Sequence, residues 1–128
     1  MKKIKLSHVA ISYNDKEKAD IFFTKILNLS IQKSFNLTSD LSEKIFGIKK
    51  DIDIIVYGDE NIQFEVFINK SFDNKGYNHI CIEVENKQQF IDSCLRYDLK
   101  PFIVKKGEKN LLFTRDFSGN LYEIKEKP

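Results

Sequence analysis

The chain contains only two histidines, and each opens a segment with the alternation of a β-strand. In both segments apolar residues take every second position, so the histidine lies on the face opposite the predicted core. Glu65 and Glu123 occupy the non-apolar face of a later predicted strand in each half of the chain. Two neutral imidazoles and two carboxylates suit a divalent metal ion such as zinc, nickel or cobalt. The sequence therefore predicts a metal site built from His8, Glu65, His79 and Glu123.

Each member of this set also has an ordinary structural explanation. A single histidine on a strand is more often a hydrogen-bonded or surface residue than a ligand, and a glutamate on one face of a strand usually faces solvent. Glu83 and Glu85 fit that explanation. The matched positions of one histidine and one glutamate in each half favour metal binding. Four protein ligands on a six-coordinate ion would leave two positions for water or for a chelating substrate.

The elements that must position these residues repeat a plan of strand, helix and three strands. Alternating apolar residues predict the strands, and apolar residues spaced three or four apart predict the helices. In the first half the predicted elements are a strand at 4–13, a helix at 16–28 capped by the polar pair Asn14 and Asp15, and strands at 29–35, 52–57 and 62–68. In the second half they are a strand at 79–85, a helix from a cap at 86 to about 97, and strands at 101–105, 110–115 and 121–125.

The two halves differ in one segment. The separation between histidine and glutamate is 13 residues longer in the first half. The surplus falls in 36–50, a polar segment with a short helical stretch that ends at Gly47, where the second half has only the turn 106–108. We therefore predict an insertion within one unit, with the two units aligned on either side of it.

Length and composition limit the classes of function. A chain of 128 residues fits one domain, predicted as 1–128 with unit one at 4–69 and unit two at 77–126. With 21 basic and 19 acidic residues and a net charge of +2, nothing favours nucleic acid binding. No run of about 18 apolar residues predicts a membrane span, and no signal sequence is evident, so a cytoplasmic location is expected. Cys81 and Cys94 are predicted to be free thiols.

Four segments together match one family pattern over nearly the whole chain. They are His8–Ile11, Phe22–Leu29 with Asn28 where glycine is usual, Asn78–Ile82, and Phe113–Ile124, which is similar to F-x-x-D-P-D-G-N-x-x-E-L. On these motifs the chain resembles the vicinal oxygen chelate superfamily. That superfamily includes glyoxalase I, methylmalonyl-CoA epimerase, extradiol dioxygenases, fosfomycin-resistance transferases and bleomycin-binding proteins.

The resemblance implies an α+β fold in which two βαβββ units form a half-closed mixed sheet around a metal site. Within the superfamily, fosfomycin transferases and dioxygenases use two histidines and one glutamate, and bleomycin-type binders lack the ligands. This chain has a second glutamate at Glu65, as glyoxalase I (lactoylglutathione lyase) does. Epimerases tend to have glutamine at that position.

The implied activity is that of a metal-dependent lyase or isomerase of the glyoxalase I type. Such an enzyme transfers a proton on a chelated carbonyl or hydroxyl substrate through an enediolate. The resemblance makes Glu123 the catalytic base and Glu65 a ligand or the second acid/base. On the site face of the first strand, Ser12 stands where glutathione-dependent enzymes often have arginine. Another thiol hemithioacetal, an acyl-CoA or a small hydroxy-ketone is therefore also a candidate substrate.

Two alternatives belong to other classes. One is an acyl-CoA epimerase, and the other is a non-enzymatic protein that binds a small molecule or an antibiotic. Five phenylalanines could line such a pocket, although their helix and strand spacing favours the core: Phe35, Phe46, Phe64, Phe67 and Phe113. A homodimer is expected, because open sheet edges are usually covered and members of the family are commonly dimeric.

Overall fold

The computed structural model describes residues 6–73 and 76–128. The chain separates into residues 1–72 and 73–128, hereafter unit 1 and unit 2. Each unit contains one four-stranded mixed sheet with helices, which confirms the predicted α+β class and the two βαβββ units. Within the described residues, no helix has the length and apolar character needed to cross a bilayer.

Unit 1 contains a sheet in the strand order β1-β4-β3-β2. Strand β1 is parallel to β4, and the other two pairings are antiparallel. Its elements are β1 (Val9–Tyr13), α1 (Lys16–Asp20, continued by a π-helical segment Ile21–Ile26), β2 (Ser30–Leu37), α2 (Ser39–Phe46), β3 (Ile52–Gly58) and β4 (Gln63–Ile68).

Aromatic side chains form the core of unit 1, because the helix and three strands each contribute aromatic rings to it. Phe23 makes an edge contact with Tyr13 and stacks on Tyr57, with ring centroids 5.7 and 4.8 Å apart. Phe22 and Phe64 complete this cluster, and all five residues are fully buried. The Tyr57 hydroxyl donates a hydrogen bond to Asp20, which satisfies its polar end. This core holds β4, which carries Glu65, and β1, which begins directly after His8.

The boundaries of the first helix follow from its two ends. Asp15 caps the helix by accepting a hydrogen bond from the Lys18 N–H, as the sequence predicted. After the π-helical segment the chain reverses at Asn28, whose φ of 59° lies in the left-handed region. Asparagine tolerates this conformation better than most residues other than glycine. The predicted helix at 16–28 is therefore present, although half of it is π-helical.

Unit 2 repeats the same topology in a shorter form. Its sheet has the order β5-β8-β7-β6, with β5 parallel to β8 and two antiparallel pairings. Its elements are β5 (His79–Val84), α3 (Lys87–Arg96), β6 (Phe102–Lys106), β7 (Lys109–Arg115) and β8 (Leu121–Glu126). The Asn86 side chain caps α3, as predicted. The core includes Phe90 and Cys94 from the helix and Tyr122 and Ile124 from β8.

A buried turn joins β7 to β8. The Asp116 carboxylate accepts hydrogen bonds from the Ser118 and Asn120 N–H groups at 2.9 and 3.0 Å, and from the Tyr122 hydroxyl at 2.8 Å. The Asn120 side-chain amide donates to it as well. Gly119 supplies the positive φ of 85° that the turn requires. The D-x-x-G-N part of the closing motif is thus a structural device that fixes the start of β8.

Two predictions about the elements need correction. The first strand was expected at 4–13, but residues 4 and 5 lie outside the described residues and β1 begins only at Val9. His8 therefore precedes the strand instead of lying within it. The helical part of the 36–50 insertion is longer than expected, since α2 runs from Ser39 to Phe46. Its predicted end is correct, because Gly47 closes it with a φ of 73°.

Candidate metal centre

The predicted ligands of unit 1 are in contact. The Nε2 atom of His8 lies 3.5 Å from Oε1 of Glu65. The His8 side chain is 42% exposed and that of Glu65 is 23% exposed, so both are accessible to a ligand. Glu65 lies on the face of β4 opposite the buried Phe64 and Val66. The predicted alternation of this strand is therefore confirmed, and it presents the glutamate to the histidine.

In unit 2 the histidine is held through its other nitrogen. His79 is the first residue of β5, and its Nδ1 lies 3.0 Å from the backbone carbonyl of Tyr77. A carbonyl only accepts hydrogen bonds, so the neutral ring that makes this bond carries its proton on Nδ1. The lone pair is then on Nε2, the nitrogen available to a metal ion.

The strand register relates the two pairs. In the parallel pairing of β1 with β4, Ala10 lies opposite Glu65. In the parallel pairing of β5 with β8, Cys81 lies opposite Glu123. In each unit the glutamate is therefore opposite the second residue after the histidine. The two units present histidine and glutamate with the same offset and the same strand direction.

The environment of Glu123 includes the thiol of Cys81, the residue opposite it in the strand pairing. Cys81 is exposed. Partial burial, followed by the negative charge of Glu123, raises the pKa of the Cys81 thiol. The thiol is therefore protonated at neutral pH and is not a preformed thiolate ligand.

Each unit by itself offers a pair of donors. Among the residues that the structure describes, no three His, Cys, Asp or Glu side chains are grouped so as to hold a metal ion. The donor chemistry nevertheless fits a divalent ion, because each pair combines an imidazole with a carboxylate, both common ligands of such ions.

Comparison with solved structures identifies the fold. A fosfomycin resistance protein, FosX, from Listeria monocytogenes matches with a TM-score of 0.73 and 14% identity, over 99% of this chain and 96% of that one. A glyoxalase family protein from Bacillus cereus matches with a TM-score of 0.73 and 15% identity, over 98% and 95% of the two chains. The Listeria FosX in complex with Mn(II) and sulfate matches with a TM-score of 0.69 and 17% identity, over 97% and 93%.

The chain has the vicinal oxygen chelate fold. The resemblance inferred from the motifs is therefore confirmed for the fold. No protein-family model matches the sequence, and the search of curated proteins found no match.

Within this fold, unit 1 contains a cavity of about 250 Å³ whose lining includes Ala10, the residue that pairs with Glu65. Ser12 of β1, Phe67 of β4 and Phe46 of α2 also line it. The Phe46 and Phe67 rings meet edge to face, with centroids 5.5 Å apart. The insertion of unit 1 therefore lines a cavity on the same face of the sheet as the predicted ligands.

The five phenylalanines considered for a pocket have different positions. Phe64 is fully buried in the core, as its strand spacing favoured. Phe46 and Phe67 line the cavity, so the core interpretation was wrong for them. Phe35 is 40% exposed, and Phe113 stacks on Phe102 in unit 2.

Sequence reasoning did not connect three polar residues that line the cavity, Ser42, Lys50 and Asn69, with the site. The feature of the sequence that could have indicated a cavity was the insertion, whose apolar residues have no counterpart in unit 2. An insertion that carries apolar side chains must cover a surface or expose them.

Proposed function

We propose that the protein is a metal-dependent enzyme that transfers a proton on a small chelating substrate. His8, Glu65, His79 and Glu123 are the proposed ligands. The observation that carries the proposal is the common strand register, which gives each unit a histidine and a glutamate in equivalent positions. The same offset between histidine and glutamate in two parallel pairings supports a shared role for the only two histidines of the chain.

A complete site must combine the two pairs, because each unit offers only one histidine and one glutamate. The pairs can come from one chain or from two chains of a homodimer. We propose that residues 1–128 act as one domain and that the protein is a homodimer. Sedimentation at micromolar concentration tests the second point, and a species of monomer mass alone would contradict it.

Each proposed ligand has a role that its contacts support. The hydrogen bond from His79 to the Tyr77 carbonyl orients the ring and leaves Nε2 as its donor atom. His8 lies beside Glu65 and would share the ion with it. A bound divalent ion would stabilise negative charge that develops on a substrate oxygen. Glu123 is the proposed base, and Glu65 is a ligand or the second acid/base.

The identity of the ion is open within a chemical class. Two imidazoles and two carboxylates suit nickel, cobalt and zinc. The FosX protein of Listeria was crystallised with Mn(II), which adds manganese to the ions to be tested. All four ions should be compared at equal free concentration.

The proposed substrates share a carbonyl or hydroxyl oxygen next to an acidic C–H bond. Thiol hemithioacetals come first, because Glu65 gives the chain the ligand set of the glyoxalase I type. Acyl-CoA thioesters are the alternative for an epimerase. Fosfomycin, an epoxide, lies outside this class and needs a separate assay of ring opening; it is worth testing because structural neighbours of the chain are fosfomycin resistance proteins.

The decisive experiment measures deuterium uptake from solvent into each candidate substrate at matched metal occupancy. Glu123→Gln retains a coordinating oxygen but cannot accept a proton at neutral pH, so we expect exchange to slow by about 100-fold or more. Glu65→Gln should have a milder effect, since epimerase-like relatives tend to have glutamine there.

The outcomes separate the alternatives. Normal exchange in Glu123→Gln, with no exchange in Glu65→Gln, would assign the base to unit 1. Normal exchange in both variants would reject the proton-transfer mechanism. A wild-type protein that binds metal but shows no exchange with any candidate would favour the non-enzymatic binding protein.

A further inference from the structure

The cavity of unit 1 has the chemistry of a ligand site. Phe46 and Ile48 line it although they are 51% and 58% exposed, so their apolar surface faces a space that protein atoms do not fill. Ile52 and Phe67 extend the apolar wall. Its volume of about 250 Å³ lies just below the usual range for a whole ligand, so it suits the organic part of a small molecule.

One end of the cavity is polar and positively charged. Lys50 is the charged residue among the described residues that line it, and its Nζ donates to the Asn69 side chain at 3.3 Å. That amide oxygen also accepts from the Ser71 hydroxyl and N–H, so Asn69 helps to hold the ammonium in place. Among the described residues no carboxylate pairs with Lys50, which leaves its charge available to a ligand.

The other end of the cavity lies next to the strand position of the proposed metal ligands. Ala10, which lines the cavity, lies opposite Glu65 and two residues after His8. Asn69 follows β4, four residues beyond Glu65. At about 3.3 Å per residue the two ends are roughly 13 Å apart along the strand. Because the Lys50 side chain is flexible, its ammonium can move toward the metal ligands, and a ligand shorter than this distance can contact both ends.

We propose that this cavity binds an organic anion, with its apolar body against Phe46 and Phe67 and its anionic group at Lys50. The inference deepens the proposed function: the chelating end of the substrate would face His8 and Glu65. It narrows the substrate class to small molecules that carry a carboxylate, phosphate or phosphonate at the end remote from the metal. Neutral substrates of the same size lack the contact with Lys50.

The test uses metal-free protein and two probes of the same shape, 3-phenylpropionate and the neutral 3-phenylpropionamide. Binding is measured by two-dimensional NMR, from the shifts of the unit 1 amides that line the cavity. We expect the anion to bind about fivefold more tightly than the amide, a difference typical of one exposed ion pair. Lys50→Gln should remove that preference, whereas Lys49→Gln, with the same change in charge, should retain it.

A second variant tests the location. Ala10→Leu places three extra carbons in the cavity at an exposed position, so it should weaken both probes by about tenfold without lowering the melting temperature. Cys81→Leu, the equivalent change in unit 2, should leave both affinities unchanged. Equal affinity for the two probes, or binding that Ala10→Leu does not affect, would overturn the inference.

The proposed function is tested separately, because metal titration does not use these probes. Protein that binds metal but shows no shift at the cavity with either probe would retain the metal site and lose this inference. Protein that binds the anion but no metal would retain this inference and lose the proposed metal site.

Discussion

The two units share a topology and a ligand register, but they differ in what surrounds the ligands. In unit 1 a cavity lined mainly by apolar residues, two of its lining residues coming from α2, includes Ala10, which pairs with Glu65. In unit 2 Glu123 itself lines a depression in which most of the residues are charged, with Glu108 and three lysines. The turn at Gly107 stands in place of the insertion, and no described helix corresponds to α2. The candidate donors thus have equivalent positions in the two units, whereas the connecting segments differ.

We propose that the common and the different parts of the two units have different roles. Under the proposed function one ion is held by both donor pairs, so the part common to the two units would bind the metal. The part specific to unit 1 would bind the substrate, because apolar residues form most of the lining of its cavity, whereas charged residues form most of the lining in unit 2. Each of these two roles can be tested by making the equivalent substitution in unit 1 and in unit 2 and comparing the effects.

The largest expected effect is on metal affinity. His8→Ala and His79→Ala should each weaken binding of the divalent ion by more than about 100-fold, since each removes one of two nitrogen donors. The two losses should be similar because the histidines occupy equivalent positions. Metal content after gel filtration, together with calorimetric titration, provides the measurement.

A difference in metal affinity between the two histidine variants would contradict the equivalence of the two units. If one variant retains wild-type affinity, its unit contributes no ligand, and the common register has another explanation. The double variant should then behave like the more strongly affected single one.

The next effect concerns two aspartates that accept a tyrosine hydroxyl, one in each unit. Asp116 is 5% exposed and accepts hydrogen bonds from three residues, whereas Asp20 is partly exposed and accepts from Tyr57 and Lys16. In Asp116→Asn an amide N–H₂, which can only donate, replaces a carboxylate oxygen that accepts hydrogen bonds, so some of the donors around it lose their acceptor. We therefore expect the substitution to lower the free energy of unfolding by about 2 kcal/mol at pH 7. Asp20→Asn should cost about 1 kcal/mol.

The Asp116 effect should also depend on pH. Burial raises the pKa of this carboxyl from 3.8 to about 6, although its hydrogen bonds from Tyr122, Asn120 and Ser118 oppose the increase. Between these values the folded protein holds a proton that the unfolded chain releases, so the contribution of Asp116 to stability falls as the pH rises. The stability difference between wild type and Asp116→Asn should therefore grow from pH 7 to pH 4. A difference independent of pH in denaturant titrations would contradict this.

The smallest expected effect is a change in the reactivity of a thiol placed next to each histidine–glutamate pair, which reports whether a metal ion occupies that pair. Cys94 is fully buried, and burial raises its pKa to about 11, so in the native protein a thiol reagent should label only Cys81. Mn(II), which has little affinity for thiols, should slow the labelling of Cys81 by roughly tenfold if it occupies the pair beside it.

The matched reporter for unit 1 is Ala10→Cys in a Cys81→Ala background. Equal protection of both thiols by Mn(II) would support one ion held by both pairs. Protection of only one thiol would place the ion in a single unit.

The sequence was sufficient for the fold because its strongest signals were local. The caps at Asp15 and Asn86 and the alternation in β4 and β5 each gave the correct element. The start of β1 was less predictable, because strand pairing with β4 begins only at Val9 and no local pattern marks that limit. The π-helical segment at Ile21–Ile26 was not predictable either, since the apolar spacing of three and four also fits an α-helix.

The equivalent placement of the candidate ligands was predictable from the sequence, but their surroundings were not. Counting positions placed His8, Glu65, His79 and Glu123 in equivalent places, and the strand register agrees with that count. The cavity depends on how α2 packs over the sheet, which brings Lys50 beside Asn69 across 19 positions of sequence. Such contacts arise from tertiary packing, and no local pattern encodes them.

The left-handed residue that follows the first helix has a consequence for how this chain is compared with others. The motif that the sequence resembles has glycine there, and this chain has Asn28 with a φ of 59°. The backbone thus adopts the torsion angle that glycine tolerates best, although the residue is not glycine. A sequence profile penalises such a substitution, whereas a comparison of backbones does not register it. Differences of this kind are consistent with an overlay on FosX at 14% identity while no family model matches the chain.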